Sequence, residues 1–351
     1  MNGPLQGVKV VEFEGLGPGP LAGRMLAGLG ASVTLVARPT ASPVSARFDG
    51  EGGHELERGK QRVTLDLKSD AGRAEALDLV AAADALIEGL RPGVMERLGL
   101  GPADCARRNP ALVYGRMTGW GQSGPLAHAA GHDLNYVALS GVLSLAAHRG
   151  ERPIVPPTVV GDAAGALGLA FGVAAGLVQA RATGRGCVVD AAIVDIAAML
   201  GMLAQWIRAA GQLDAPTPSA FHDSPFYDVY ECADGRYVTL GALEPQFYAQ
   251  LLERLGLHDV DPRAQYDVRQ WPALKERMRA LMRQRTRDEW STMLEGTDVC
   301  FAPVLGVAEA ARHAHNVARG NFVARGGGAV FGAVAPRFAP LTPADDDRPH
   351  D

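Results

Sequence analysis

Short apolar runs alternate with amphipathic stretches along the first third of the chain. Residues 8–13, Val-Lys-Val-Val-Glu-Phe, read as a strand; a Gly/Pro turn, an amphipathic stretch at 20–29, Gly30 and a second strand at 32–36 follow. This order predicts a β-α-β unit. Strand-like segments at 84–88 and 112–117 each follow a helix-like one, at 72–82 and 102–108, which predicts an α/β domain with a mostly parallel sheet. Residues 162–211 read as Ala-rich helices broken at 183–186, and 213–224 as a Pro-containing linker. A different pattern begins at Phe226. Two alternating strands, 226–231 and 236–240, flank Cys232-Ala233-Asp234-Gly235, a hairpin signal. Helices at 245–255, 271–283 and 287–294 and a strand at 300–305 complete a small α+β domain. From Gly326 onward, Gly, Pro and Asp without periodicity predict an extended or loose tail.

The uncharged run 163–178 falls short of the roughly 20 residues a bilayer requires and is mostly Ala and Gly, so it predicts a buried helix. Gly168, Gly172 and Gly176 leave a bare stripe on it, along which another backbone can approach. Residues 1–5 carry no basic region followed by an apolar one, so no secretory signal is read and a cytoplasmic, membrane-free protein is expected. With 34 basic residues against 39 acidic, the net charge of −5 argues against nucleic acid as a partner. A 47% hydrophobic content excludes a disordered chain. The four cysteines are far apart, which reads as reduced and intracellular, neither a disulfide framework nor a zinc site.

Candidate chemistry begins in the first turn. Gly17-x-Gly19-x-x-Ala22 stands where a dinucleotide fingerprint would, but Pro18 and Pro20 remove N–H donors and the second strand ends in Arg38 where an NAD site needs a carboxylate. Arg38 suits a nucleotide with a phosphate on its ribose, NADP or coenzyme A. Arg58, Lys60, Arg62, Lys68, Arg91 and Arg97 together make a basic region fit for an anionic ligand, although each singly reads as a solvated charge. In Gly131-His132-Asp133-Leu134-Asn135-Tyr136 a histidine stands at a helix start among polar neighbours, where it can be oriented beside free backbone N–H groups; the plain alternative is a structural histidine. Asp162 and Glu244 each precede a helix, where an acid either caps or acts as a base tuned by burial. His313-x-His315 has no acidic motif beside it and reads as solvated loop, so no metal site is expected.

Several motifs occur in order: the Gly-x-Gly-Pro-Gly-Pro turn, Ala37-Arg38-Pro39, Leu65-Asp66-Leu67-Lys68, Glu88-Gly89-Leu90-Arg91-Pro92-Gly93, Thr118-Gly119-Trp120-Gly121-Gln122-Ser123-Gly124-Pro125, the Gly131–Tyr136 run, Gly161-Asp162 and Gly241-Ala242-x-Glu244-Pro245. Over about residues 5 to 305 the chain resembles the family III coenzyme A transferases, and within them the α-methylacyl-CoA racemase branch. The resemblance implies an interlocked homodimer with active sites shared between subunits. Each subunit has a large Rossmann-like domain (1–190 plus 320–351), a helical linker (191–224) and a small α+β domain (225–319). It implies His132 and Asp162 as the acid/base pair and Glu244 beside the histidine. Arg38, Leu65, Asp66, Leu67, Lys68, Glu88, Gly89, Leu90, Arg91 and Arg97 match positions that hold CoA, and Gly131, Leu134, Asn135 and Tyr136, which flank the histidine, are expected to bind the substrate with them. The tail Asp345–Asp351 ends before a terminal helix that many members have, and Phe221-His222-Asp223-Ser224-Pro225 departs from the expected Gly-rich approach to the small domain.

The implied reaction interconverts the (2R) and (2S) forms of a 2-methylacyl-CoA through an enolate, with no cofactor or metal beyond the CoA of the substrate. Two acid/base groups serve such a transfer better than one, and the Asp133 N–H is the candidate donor to the enolate oxygen. The alternative is a CoA transferase in which Asp162 forms an acyl-aspartyl intermediate. Met199 and Met202 suit an adaptable acyl surface or, more plainly, a core.

Overall fold

The computed structural model describes residues 3–40, 54–147, 151–213, 216–339 and 341. The chain divides into two compact units, one comprising Met1–Leu143, Val155–Met199 and Gly320–Asp351, the other Ser144–Ile154 and Leu200–Arg319.

The first unit is built on β1 (Lys9–Phe13), α1 (Pro18–Gly28), β2 (Ser32–Ala37), β3 (Lys60–Thr64), α2 (Asp70–Ala81), β4 (Ala85–Glu88), α3 (Val94–Arg97), α4 (Pro102–Arg108), β5 (Val113–Thr118), α5 (Asp133–Leu139), α6 (Asp162–Thr183) and β6 (Cys187–Ala192). The strands make one parallel sheet in the order β3-β2-β1-β4-β5-β6, the doubly wound order with its reversal between β1 and β4. Neighbouring residues of a strand enter opposite cores, which is why the central strands are apolar at nearly every position. Val10, Val33 and Ile87 pack with Leu26 of α1 and Leu169 of α6; Val11, Phe13 and Leu86 pack with Val80 of α2 and Cys105 of α4.

Two strands of this sheet escape the sequence pattern, and both lie at its edges. β3 reads Lys-Gln-Arg-Val-Thr and, the buried Lys60 side chain apart, exposes or half-exposes its residues, so no apolar run announces it. For β6 the Ala-rich pattern predicts helix; its Val188-Val189 pair forms strand instead, and its Ala191-Ala192 end leads directly into α7 (Ile193–Leu200), hiding the change of period.

Helix α6, with a mean hydropathy of 1.7 over its most apolar window, is long and apolar enough to cross a membrane, and it lies against β5, β6 and α1. Side chains, not a backbone, fill its glycine stripe. A Cβ at Gly168 would collide with Ile196, one at Gly172 would lie 2.6 Å from Val189, and one at Gly176 2.7 Å from Val113. The tail differs from expectation as well: β10 and β11, numbered after the second unit's strands, are Phe322–Ala324 and Val330–Gly332 and pair antiparallel. Residues 345–351 lie outside the described residues.

The second unit contains α8 (Met202–Ala209), β7 (Tyr227–Glu231), β8 (Tyr237–Gly241), α9 (Pro245–Arg254), α10 (Trp271–Met282), α11 (Arg287–Leu294) and β9 (Phe301–Pro303). β7, β8 and β9 form an antiparallel sheet whose inner face buries Tyr230, Val238 and Leu240 against Leu251, Trp271, Met278 and Trp290 of the helices.

Candidate active site

In a doubly wound sheet ligands bind beyond the carboxyl ends of the strands, near the point where strand order reverses. The candidate residues of the first unit collect at that edge. The turn after β1 carries Gly17 with φ +69°, and a Cβ built there would stand 3.5 Å from Oδ2 of Asp162. Asp162 reaches the same edge because α6 must begin there in order to feed β6.

Asp162 is not a cap. Gly161 holds the N-cap position of α6, no side chain caps it, and among the described residues the Asp162 carboxylate accepts no hydrogen bond. The carboxylate of Asp133 accepts hydrogen bonds from the backbone N–H of Asp162 at 2.8 Å and of Thr158 at 3.1 Å. It thereby ties the first residue of α5 to the turn that opens α6. Thr158 is held there at φ +62°, and residue 161 must be glycine because a Cβ would run into Oδ1 of Asp133. Burial foremost, then the negative charge of Asp133, raise the Asp162 pKa, while the nearby His132 opposes them. The structure thus brings His132, Asp133 and Asp162 into one electrostatic neighbourhood across 30 residues of chain.

The turn holding His132 is braced on both sides. Asn135 Oδ1 accepts the His132 N–H at 3.0 Å, and the Tyr136 hydroxyl donates to the Gly131 carbonyl. Among the described residues the His132 imidazole and the Asp133 N–H have no hydrogen-bond partner. His132 lines a cleft of about 230 Å3 together with Arg91, Thr118, Trp120 and Tyr136. Trp120 meets Tyr136 edge to face, with 4.6 Å between ring centroids, and its indole N–H is buried without a partner. Trp120 is a site residue that sequence alone does not single out, since an aromatic in a Gly-rich loop gives no sign of where its ring will lie.

The residues proposed to hold CoA divide into groups with different duties. Arg38, at the end of β2, is more than half exposed and contacts Glu14 at 3.3 Å. Asp66, Lys68, Arg91 and Arg97 are exposed; Lys68, Arg91 and Arg97 have no ion pair among the described residues. Leu65 is buried, Leu67 is partly buried and Gly89 opens the exposed turn after β4. Glu88 is fully occupied: it accepts the Leu90 N–H at 2.7 Å and Arg116 Nε at 2.9 Å, and so shapes the turn that presents Arg91. Leu134 is exposed.

The basic region is smaller than the sequence suggests. Arg58 pairs with Glu55, Arg62 with Glu57, and Lys60 is buried against Glu12. Met199 and Met202 are more than half exposed and are therefore not core. His313 contacts Glu295 at 2.7 Å. Glu244 belongs to the second unit, where it is the N-cap residue of α9 through its backbone only; its side chain is exposed and makes no capping bond.

Among known proteins, an α-methylacyl-CoA racemase of Homo sapiens is 40% identical over 346 residues, 97% of this chain and 87% of that protein. An acetyl-CoA:oxalate CoA-transferase of Acetobacter aceti is 29% identical, covering 93% of this chain and 87% of its own. The crystal structure of a CaiB/BaiF family protein from Brucella suis superposes with a TM-score of 0.80 at 26% identity, over 97% of this chain and 93% of that one. Residues 5–346 match the sequence profile of CoA-transferase family III, and the chain belongs to that family.

Proposed function

We propose that the protein is an isomerase that interconverts (2R)- and (2S)-2-methylacyl-CoA thioesters by 1,1-proton transfer. The observation that carries this reading is a carboxylate, Asp162, with a raised pKa, set within electrostatic reach of an imidazole, His132, neither of them engaged in a hydrogen bond among the described residues. The 40% identity to a racemase supports it. A raised pKa suits a carboxyl that must give back a proton as readily as it takes one.

In one direction the Cα–H bond breaks toward one of the two groups, and the electron pair moves onto the thioester oxygen to form an enolate. The other group then delivers its proton to the opposite face of Cα. The return turnover exchanges their protonation states. The Asp133 N–H, which has no partner among the described residues, is the donor we assign to the enolate oxygen. Arg38, Lys68, Arg91 and Arg97 bind the CoA phosphates in this reading, and no metal or redox cofactor takes part. Glu244 charge-stabilises the imidazole from the small domain of a second subunit, in a cytoplasmic homodimer. Large apolar side chains left exposed on one chain, among them Phe171, Val178, Leu203 and Trp206, support such an assembly.

Incubation of one 2-methylacyl-CoA epimer in D2O tests the reading: α-deuteration with epimerisation is expected. Acyl exchange onto a free acid, abolished in Asp162→Ala but retained in His132→Ala, would instead identify a transferase working through an acyl-aspartate.

A further inference from the structure

Lys60 and Glu12 form a buried pair that the proposed chemistry does not use. Both side chains are 1% exposed; Lys60 Nζ lies 2.6 and 2.8 Å from the two Glu12 oxygens and donates a third hydrogen bond, at 2.8 Å, to the carbonyl of Pro20. The ammonium therefore joins β1, β3 and the first turn of α1 at one point. Helix α1 lies so close over the pair that residue 23 must be glycine, since a Cβ there would overlap the Glu12 carboxylate. Burial pushes Glu12 up to about 7 and lowers Lys60, each opposed by the charge of the other. A charge-bearing pair in this position is costly unless its geometry does something for the fold or the site.

Pro18 and Pro20 leave the start of α1 short of N–H donors, and no side chain caps it. The Lys60–Pro20 bond is a side-chain restraint there, and the turn it restrains places Gly17 beside Asp162. We propose that Lys60 and Glu12 are positioning residues for Asp162, holding the Gly17 turn against its carboxyl so that water is kept from it. The inference rests on Asp162 being a catalytic acid/base. The groups facing Asp162 are Asp133, His132 and the Tyr136 hydroxyl, none of which the test variants alter.

The test compares full-length Lys60→Met/Glu12→Gln, which keeps both shapes without charge, Lys60→Arg, and Asp162→Asn. Thermal melting reports the fold; α-deuteration of a 2-methylacyl-CoA in D2O gives KM, kcat and the pH dependence of kcat. The double variant is expected to fold, to keep KM within about twofold and to lose about tenfold or more in kcat, the scale of a displaced reacting group. Its acidic limb moves to lower pH as Asp162 gains water, and Lys60→Arg shows a smaller change in the same direction. A folded variant with an unmoved limb and wild-type kcat overturns the proposal, as does a lowered melting temperature with an unmoved limb. If the double variant does not fold, Lys60→Arg decides by the same two readouts. Full activity in Asp162→Asn overturns the proposed function and this inference together, whereas an inactive Asp162→Asn beside wild-type-like Lys60 variants overturns the inference alone.

Discussion

Asp133→Asn separates charge from shape at the centre of the site. The amide keeps one acceptor oxygen for the Asp162 N–H, but its NH2 turns toward the Thr158 N–H, so one of two hydrogen bonds is lost, at about 1 kcal/mol for an exposed turn. The lost charge acts in the other direction. Burial and then Asp133 raise the Asp162 pKa above its usual 3.8. A raised folded-state pKa favours the fold at pH below the unfolded value and loses that contribution as pH rises through the folded one. Removing Asp133's charge brings the two values closer, so the variant is relieved of part of this loss at neutral pH. Its melting temperature at pH 7 is therefore expected to change little. Catalysis changes more: the acidic limb of kcat for α-deuteration, set by Asp162 as base, shifts to lower pH, and the plateau falls by about tenfold as the turn between α5 and α6 loosens. The assay is kcat against pH by mass spectrometry of deuterium at Cα, with melting followed in the same buffers. An acidic limb that stays in place or moves upward in a folded variant would refute the reasoning, because the base would then not feel Asp133.

His132→Ala and Asp162→Asn are each expected to reduce epimerisation by at least roughly 100-fold, measured by chiral analysis of the released acid; near-normal rates in either remove that group from the mechanism. Glu88→Ala strips Arg116 of its buried partner and leaves the Leu90 N–H unpaired. Arg116 keeps its two hydrogen bonds to Glu96, so a loss of about 1–3 kcal/mol in denaturant unfolding, together with weaker CoA binding by titration calorimetry, is the expected result. Gly168→Val drives a side chain into Ile196, and a destabilisation of about 1–3 kcal/mol in the same unfolding assay checks the packing of α6.

The α/β architecture is legible wherever a strand is covered on both faces. β1, β2, β4 and β5 each read as apolar runs because two cores draw on alternate residues. β3 and β6 have one neighbour strand each, and their composition does not distinguish them from a charged loop and an Ala-rich helix. Lys60 shows a second limit. Its place among Arg58, Arg62 and Lys68 suggests a solvated cation, and nothing local reports that Glu12, 48 residues earlier, lies across from it in the folded sheet. The spacing of His132 and Asp162 says nothing of their proximity, which came from the family resemblance. The Asp133 carboxylate as a clasp was not legible either, since its partners are backbone N–H groups that any residue would supply.

The glycine-keyed seat of α6 has a mechanical consequence for the reaction end of that helix. Gly176 and Asp162 are fourteen residues apart, or about 21 Å of helical rise, so a tilt of about 3° pivoting near Gly176 would swing the carboxyl by about 1 Å. Lesions deep in the sheet, remote from any bound thioester, would therefore first be noticed as slowed turnover by an otherwise folded enzyme.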